Sequence, residues 1–320
     1  MKSAIKRFLR LLGVKSRKYI DCCFERDASL YTKHSGIQGN TIPVLAAKIR
    51  IQCHTIEKAL SLSDCRADFG KEKVIELISK YQSYKYSDGK DKDAIALAES
   101  VIYAYAAHRV SNGLDISFIP QELTKAHEAD VKSGAMPFLS KVRDFETFDL
   151  IAHSRHSIRN FSQKKVSDED IIKAVRIAQT APSACNRQAT RIYAITDTVK
   201  IDQLKQRHGG IRTFGQPGVI FVITQDLNLY TSEYERNTWL VDGGIFCMNL
   251  LYALNSVGIV NCPVIWGGMD DEDAFISELA GIPGNERTVI LVVGGYAPEE
   301  GAKSPCSAKR PVKDIIHLVK

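Results

Sequence analysis

No run in this sequence approaches the ~18 consecutive apolar residues of a membrane-spanning helix. No C-x-x-C pair occurs among Cys22, Cys23, Cys53, Cys65, Cys185, Cys247, Cys262 and Cys306, and no metal-ligand spacing joins them to a histidine pair. A disulfide framework and a zinc site are therefore not expected, and all eight thiols are read as reduced. The phosphate-cradling Gly-rich P-loop is missing, as is any hydrolase triad signature. Internal repeats and low-complexity tracts are missing too. The apolar residues near the start are broken by Lys and Arg, so no secretory signal is expected, and the reduced thiols point to a cytoplasmic location.

Acidic residues are absent from positions 1–18, which carry Lys2, Lys6, Arg7, Arg10, Lys15, Arg17 and Lys18. Setting those seven aside from the 43 basic residues leaves 36 against 37 acidic ones, so the net charge of +6 belongs to this segment. A general nucleic-acid surface is not implied. Ile5, Phe8, Leu9, Leu11 and Leu12 alternate with the basic residues at helical spacing. Two readings stay open for residues 1–18: a weak contact with an anionic membrane surface, or a helix docked on the body.

The 320 residues suggest about two domains, and 44% hydrophobic with 25% charged content fits an ordinary globular core. Residues 1–145 read as a helical extension. Apolar periodicity predicts helices over 42–62, 71–84 and 93–109, with a shorter one over 121–132. Asp88-Gly89 and Asn112-Gly113 mark breaks. His54 and Glu57 lie one turn apart, but no third ligand follows, so a solvated or capping pair is expected. From 146 to 320 helices and strands are interspersed. Ser167 with Asp170 reads as a helix start, strands are predicted over 191–196, 219–224 and 288–293, and the stretch 259–266 precedes Gly267-Gly268. The run 219–224 is apolar except for Thr224 at its end, as a strand buried on both faces would be. Residues 237–257 form the longest apolar helical pattern, interrupted by Gly243-Gly244.

Two short pieces carry the chemistry. Arg155-His156-Ser157-Ile158-Arg159-Asn160-Phe161 packs two guanidiniums, an imidazole and a hydroxyl into five residues, a donor set suited to phosphate or an electron-rich ring edge. Ala181-Pro182-Ser183-Ala184-Cys185-Asn186-Arg187-Gln188 is a turn in small residues that lets backbone N–H groups approach a flat ligand. In this order, and with Ile282-Pro283, an apolar strand and Gly295-Tyr296 following, they resemble the FMN-dependent nitroreductase superfamily over residues 146–320.

That resemblance implies an α+β fold: a three-layer α/β/α domain around a mixed, mainly antiparallel sheet, following a helical N-terminal region. It implies bound FMN, with NAD(P)H as electron donor, in a homodimer with flavin sites at the interface. By the same resemblance Arg155, His156 and Ser157 meet phosphate and ribityl, Arg159 places a cation near the ring's N1 and O2, and Lys309 or Arg310 returns to the phosphate. Ile265, Trp266, Gly267 and Gly268 bring backbone N–H groups to N5 and O4. Pro182, Ser183, Ala184 and Asn186 approach the same flavin from the second chain. The implied reaction is hydride transfer through flavin to an acceptor such as a nitroaromatic, a quinone or another unsaturated metabolite. No side-chain acid or base is assigned. Ala189-Thr190 stand where the family commonly has Pro and an aromatic residue, which points to a different acceptor side of the cleft. The alternative is a flavin-binding dimeric scaffold or partner-binding module, free or membrane-peripheral, without general reductase activity.

Overall fold

The computed structural model describes residues 14–125, 133–136, 143–268 and 270–319, and for residues 14–18 the backbone alone. Nine helices and four strands are described: α1 (Val14–His34), α2 (Ile42–Leu60), α3 (Lys71–Tyr84), α4 (Lys92–Ser111), α5 (Phe145–Ser154), α6 (Asp168–Ala178), β1 (Thr190–Ile195), α7 (Thr198–Arg207), β2 (Val219–Asp226), α8 (Thr238–Ser256), β3 (Ile259–Ile265), α9 (Asp270–Ala280) and β4 (Glu286–Tyr296). The predicted helix over 121–132 appears as a single 3-10 turn, Gln121–Thr124; its remainder falls largely outside the described residues. Most of the basic segment 1–18 does so as well.

The strands form one sheet in the order β1-β2-β4-β3, every ladder antiparallel. The expected parallel component is reduced to one bridge, Ser157 to Asn261, because residues 155–162 run beside β3 without becoming a strand. Alternation along β2 sends Val219, Phe221 and Ile223 to one face, where α6 and α8 pack. Ile220 and Val222 go to the other, against α7 and α9. With both faces covered, all eight β2 residues are buried, which makes three layers.

Helix starts follow local chemistry. Ser167 Oγ accepts the Asp170 N–H at 3.1 Å, and Asp144 and Asp197 cap α5 and α7 in the same way. The register of β2 against β4 shifts after Ile223, leaving Val289 as an extra residue on β4. It bulges toward α8: a Cβ at Gly243 would lie 2.8 Å from the Val289 side chain. Gly243 therefore allows close approach of helix and sheet, as small residues at that position suggest.

Helices α2, α3 and α4 share a separate core around Val74, Leu77, Ala98, Val101 and Tyr105. They are not detached from the sheet domain. Tyr31, Ala47, Ala189, Leu227, Leu229 and Tyr230 make one buried cluster joining the two parts. Gly36 N–H donates to Tyr230 O at 2.8 Å, and Tyr31 Oη donates to Ser232 O at 2.8 Å. Among the described residues no helix is long and apolar enough to cross a membrane.

Candidate flavin site

The Arg155–Phe161 segment is strapped along the sheet's β3 edge. Ile158 N–H donates to Asn261 O at 3.1 Å, Gly215 N–H to Arg159 O at 2.9 Å, and Ser162 N–H to Tyr296 O at 2.8 Å. Phe161 packs its ring over Gly295, where a Cβ would come within 3.0 Å. These ties hold a short polar segment in one course without making it a strand. Arg155 and Ser157 are half-buried, while His156 and Arg159 are exposed. Arg159 Nη1 bonds the Ser157 carbonyl at 3.2 Å, and its guanidinium lies 5.6 Å from the Phe214 ring centroid. Neither Arg155 nor Arg159 enters an ion pair among the described residues.

Arg155 Nη1 is buried and has no hydrogen-bond partner. A buried guanidinium nitrogen without an acceptor carries a desolvation cost that an anionic ligand would relieve. This is the feature of the donor set that fits an FMN phosphate. At the end of β3 the Ile265 side chain is 81% exposed, and nothing lies within 4 Å of where a Gly267 Cβ would be. An exposed aliphatic side chain beside an open backbone edge suits a flat ring laid against it.

Pro182–Asn186 leads into β1, the opposite edge of the sheet. With strands ~4.8 Å apart, three intervals separate β1 from β3 by roughly 14 Å. One protomer thus keeps the two sequence motifs on different sheet edges. The loop is held from inside. Ala184 N–H donates to the Asp242 carboxylate at 3.2 Å, Gln188 N–H donates to Ser183 Oγ at 3.0 Å, and Arg187 Nε donates to Ala184 O at 3.0 Å. Cys185, Asn186 and Gln188 adopt positive φ of 49°, 50° and 55°. Three non-glycine residues in this region within four positions are strain that the surrounding bonds maintain. Lys309 and Arg310 lie on a tail that is exposed from 299 to 319, and among the described residues no hydrogen bond or ion pair ties them to Arg155.

Behind the loop stands a buried polar network absent from the sequence expectation. Arg187 is 2% exposed and meets Glu235 through both terminal nitrogens, Nη1 at 2.9 Å. Glu235 also accepts the Thr231 N–H at 2.9 Å. Burial raises its pKa, but the bonds from Arg187 and Thr231 outweigh that and hold it below the ordinary carboxylate value. Tyr230 Oη lies 3.0 Å from both Gln225 Oε1 and Asp242 Oδ2. Burial pushes the Asp242 carboxyl above its usual value despite the Ala184 and Tyr230 donors. Glu235 is 48 residues from Arg187, and no local pattern announces the pair.

A 490 Å³ cavity borders this loop and reaches Arg187 and Asp242. Pro182, Ser183, Gln188 and Arg191 form one wall, and Ile42, Arg50, Tyr84 and Asp91 from the N-terminal helices form the other. Arg50 Nη2 donates to Asp91 at 2.9 Å there.

Residues 152–209 match the model of the nitroreductase family. A protein of Archaeoglobus fulgidus provisionally named NADH dehydrogenase/NAD(P)H nitroreductase is 30% identical over 153 residues, covering 46% of this chain and 84% of that one. The chain belongs to the nitroreductase family. A second relative, the FMN reductase (NADPH) of Bacillus subtilis, is 25% identical over 52% of this chain and 72% of its own length. The provisionally named nitroreductase YdfN of the same organism superposes with a TM-score of 0.50 at 17% identity, across 55% of this chain and all of that one. This shares the nitroreductase fold. The relatives leave about half of this chain unmatched.

Proposed function

We propose that the chain is an NAD(P)H-dependent FMN oxidoreductase acting as a homodimer, with residues 146–320 as the flavin domain and 1–145 as a helical extension packed on it. The observation that carries the proposal is the buried, unpartnered Nη1 of Arg155 on a segment tied to β3. Family membership and a relative named for FMN and NADPH support the cofactors. FMN, when bound, supplies hydride exchange between the nicotinamide and an acceptor.

The chain's own residues then have defined tasks. Arg155, His156 and Ser157 hold the phosphate end, with Lys309 or Arg310 closing over it. The Arg159 guanidinium offsets negative charge that builds on the ring during reduction. Backbone N–H groups of Ile265 to Gly268 orient the ring edge, with Trp266 covering the loop. The separation of β1 from β3 supports a site completed by Pro182, Ser183, Ala184 and Asn186 of the second protomer. The acceptor class stays as wide as nitroaromatics, quinones and other unsaturated metabolites.

Purified protein is expected to be yellow and to bleach under anaerobic NADH or NADPH. A colourless protein that FMN does not reconstitute ends the enzyme proposal. Flavin that binds but is reduced by neither nucleotide favours the scaffold. Arg159→Ala is expected to weaken FMN retention or slow reduction. Wild-type retention and reduction rate in that variant would remove the assignment.

A further inference from the structure

The Trp266–Gly268 loop is held by more than its own ends. Trp266 Nε1 donates to Asp273 Oδ1 at 2.7 Å, folding the indole back over the start of α9. A Cβ at Gly268 would come within 2.8 Å of that ring, so the turn closes only over glycine. His208 stacks on the indole, with ring centroids 5.8 Å apart, and its Nε2 lies 3.1 Å from Ile265 O. Asp273 is the common anchor. Its second oxygen takes Arg287 Nη2 at 2.8 Å and also Arg26 Nη2.

Arg26 comes from α1, more than 240 residues away in sequence and outside the family match. It bonds Asp270 through Nε and Asp273 through Nη2, and its Nη1 lies 3.5 Å from Gly268 O. The side chains of Arg26 and Asp273 are both only 14% exposed. Three contacts from one planar guanidinium fix orientation as well as distance. They end on the first turn of α9 and on the loop backbone itself.

We infer that Arg26 is a positioning residue by which the N-terminal helical region sets the Trp266–Gly268 loop, and through it the N–H donors that meet the flavin edge. The inference rests on the flavin proposal for its consequence, while the clamp itself does not depend on bound FMN. Donors aimed at developing charge act only when held in place, and a small displacement remote from the reacting atoms slows a reaction strongly. Asp273 serves as the relay: it couples α1 to the Trp266 indole through opposite oxygens of one carboxylate.

The full chain carrying Arg26→Ala, with Arg26→Lys beside it, tests this. Amide hydrogen exchange over residues 262–268 is expected to speed up by about tenfold or more in the alanine variant, with part of the protection recovered by lysine. Anaerobic single-turnover reduction of bound FMN should slow by about tenfold or more, with kcat falling further than KM rises. Wild-type exchange in Arg26→Ala overturns the clamp. Faster exchange with wild-type reduction kinetics and flavin potential overturns the positioning role. A wild-type protein that binds no FMN defeats the flavin proposal separately, because the exchange measurement still reads the clamp.

Discussion

Arg187 shows how the Pro182–Gln188 loop is stabilised from behind. Its guanidinium is buried against Glu235, which retains 23% side-chain exposure. Removing one partner of such a pair leaves an uncompensated charge, so Arg187→Ala should cost about 3 kcal/mol, the low end for buried pairs given the exposure of Glu235. Chemical denaturation measures this, and Arg187→Lys should recover little because lysine lacks the two-pronged geometry. The same pair predicts a pH dependence. Glu235 has a lowered pKa in the folded state, so its stabilisation is present above the unfolded carboxylate value and is lost as pH falls through the folded one. The stability gap between wild type and Glu235→Gln should be widest near neutrality and close on acidification. A gap constant with pH would show that the charge contributes nothing. Asp242, raised by burial, has the opposite sign: protonating it favours the folded state, which softens the overall acid loss. None of this network was legible in the sequence. Arg187 sits in the quoted motif, yet its role depends on Glu235, Tyr230 and Asp242, which only the fold brings to it. Ala189 is similar. Its small side chain is buried in the cluster containing Tyr31 and Ala47 from the N-terminal helices, a packing that no local pattern shows.

At the scale of elements the sequence was far more informative. Helical period marked α2, α3, α4 and α8 within a few residues of their ends, since each buries one continuous apolar face. The apolar run Val219 to Ile223 of β2 announced a strand covered on both sides. Strand order was not legible, because β4 inserts between β2 and β3 through contacts that no local period encodes. The two glycines of α8 separate packing from assembly. Gly243 faces the Val289 bulge and Gln225, so Gly243→Ala should cost about 1–3 kcal/mol through overpacking. Gly244 has nothing within 4 Å and lies on the helix face that exposes Leu240, Val241, Ile245 and Met248. In a monomer, Gly244→Ala would gain about 1 kcal/mol from helix propensity alone. With that face closed by a second copy, the added methyl is expected instead to weaken the dimer. Sedimentation equilibrium and denaturation of the same variant decide between these outcomes, and a stabilised, unshifted monomer would exclude α8 from an interface.

For the whole molecule, the decisive geometry is the placement of the two motifs on opposite sheet edges. If each flavin needs Arg155 and Arg159 from one protomer and Ser183 and Asn186 from the other, damage to the two edges should complement. A chain carrying Arg155→Ala and Arg159→Ala lacks the phosphate and ring cations in both sites of its homodimer. A chain carrying Ser183→Ala and Asn186→Ala lacks the opposing contacts in both of its sites. Each homodimer is expected to retain little FMN. After the two are mixed, unfolded and refolded together, the heterodimer has one site with both damaged edges and one site with neither. About half of the refolded protein should be heterodimer under random pairing, so about one quarter of all sites should regain flavin. A site formed within one chain could not recover this way, since every chain in the mixture carries one damaged edge. Absence of regained flavin would therefore place the cofactor within a single protomer. Arg26 adds a further dependence to the same count: its clamp joins α1 to the β3 edge of its own chain. Arg26→Ala should lower recovery when placed on the chain with intact Arg155 and Arg159, and not on the other.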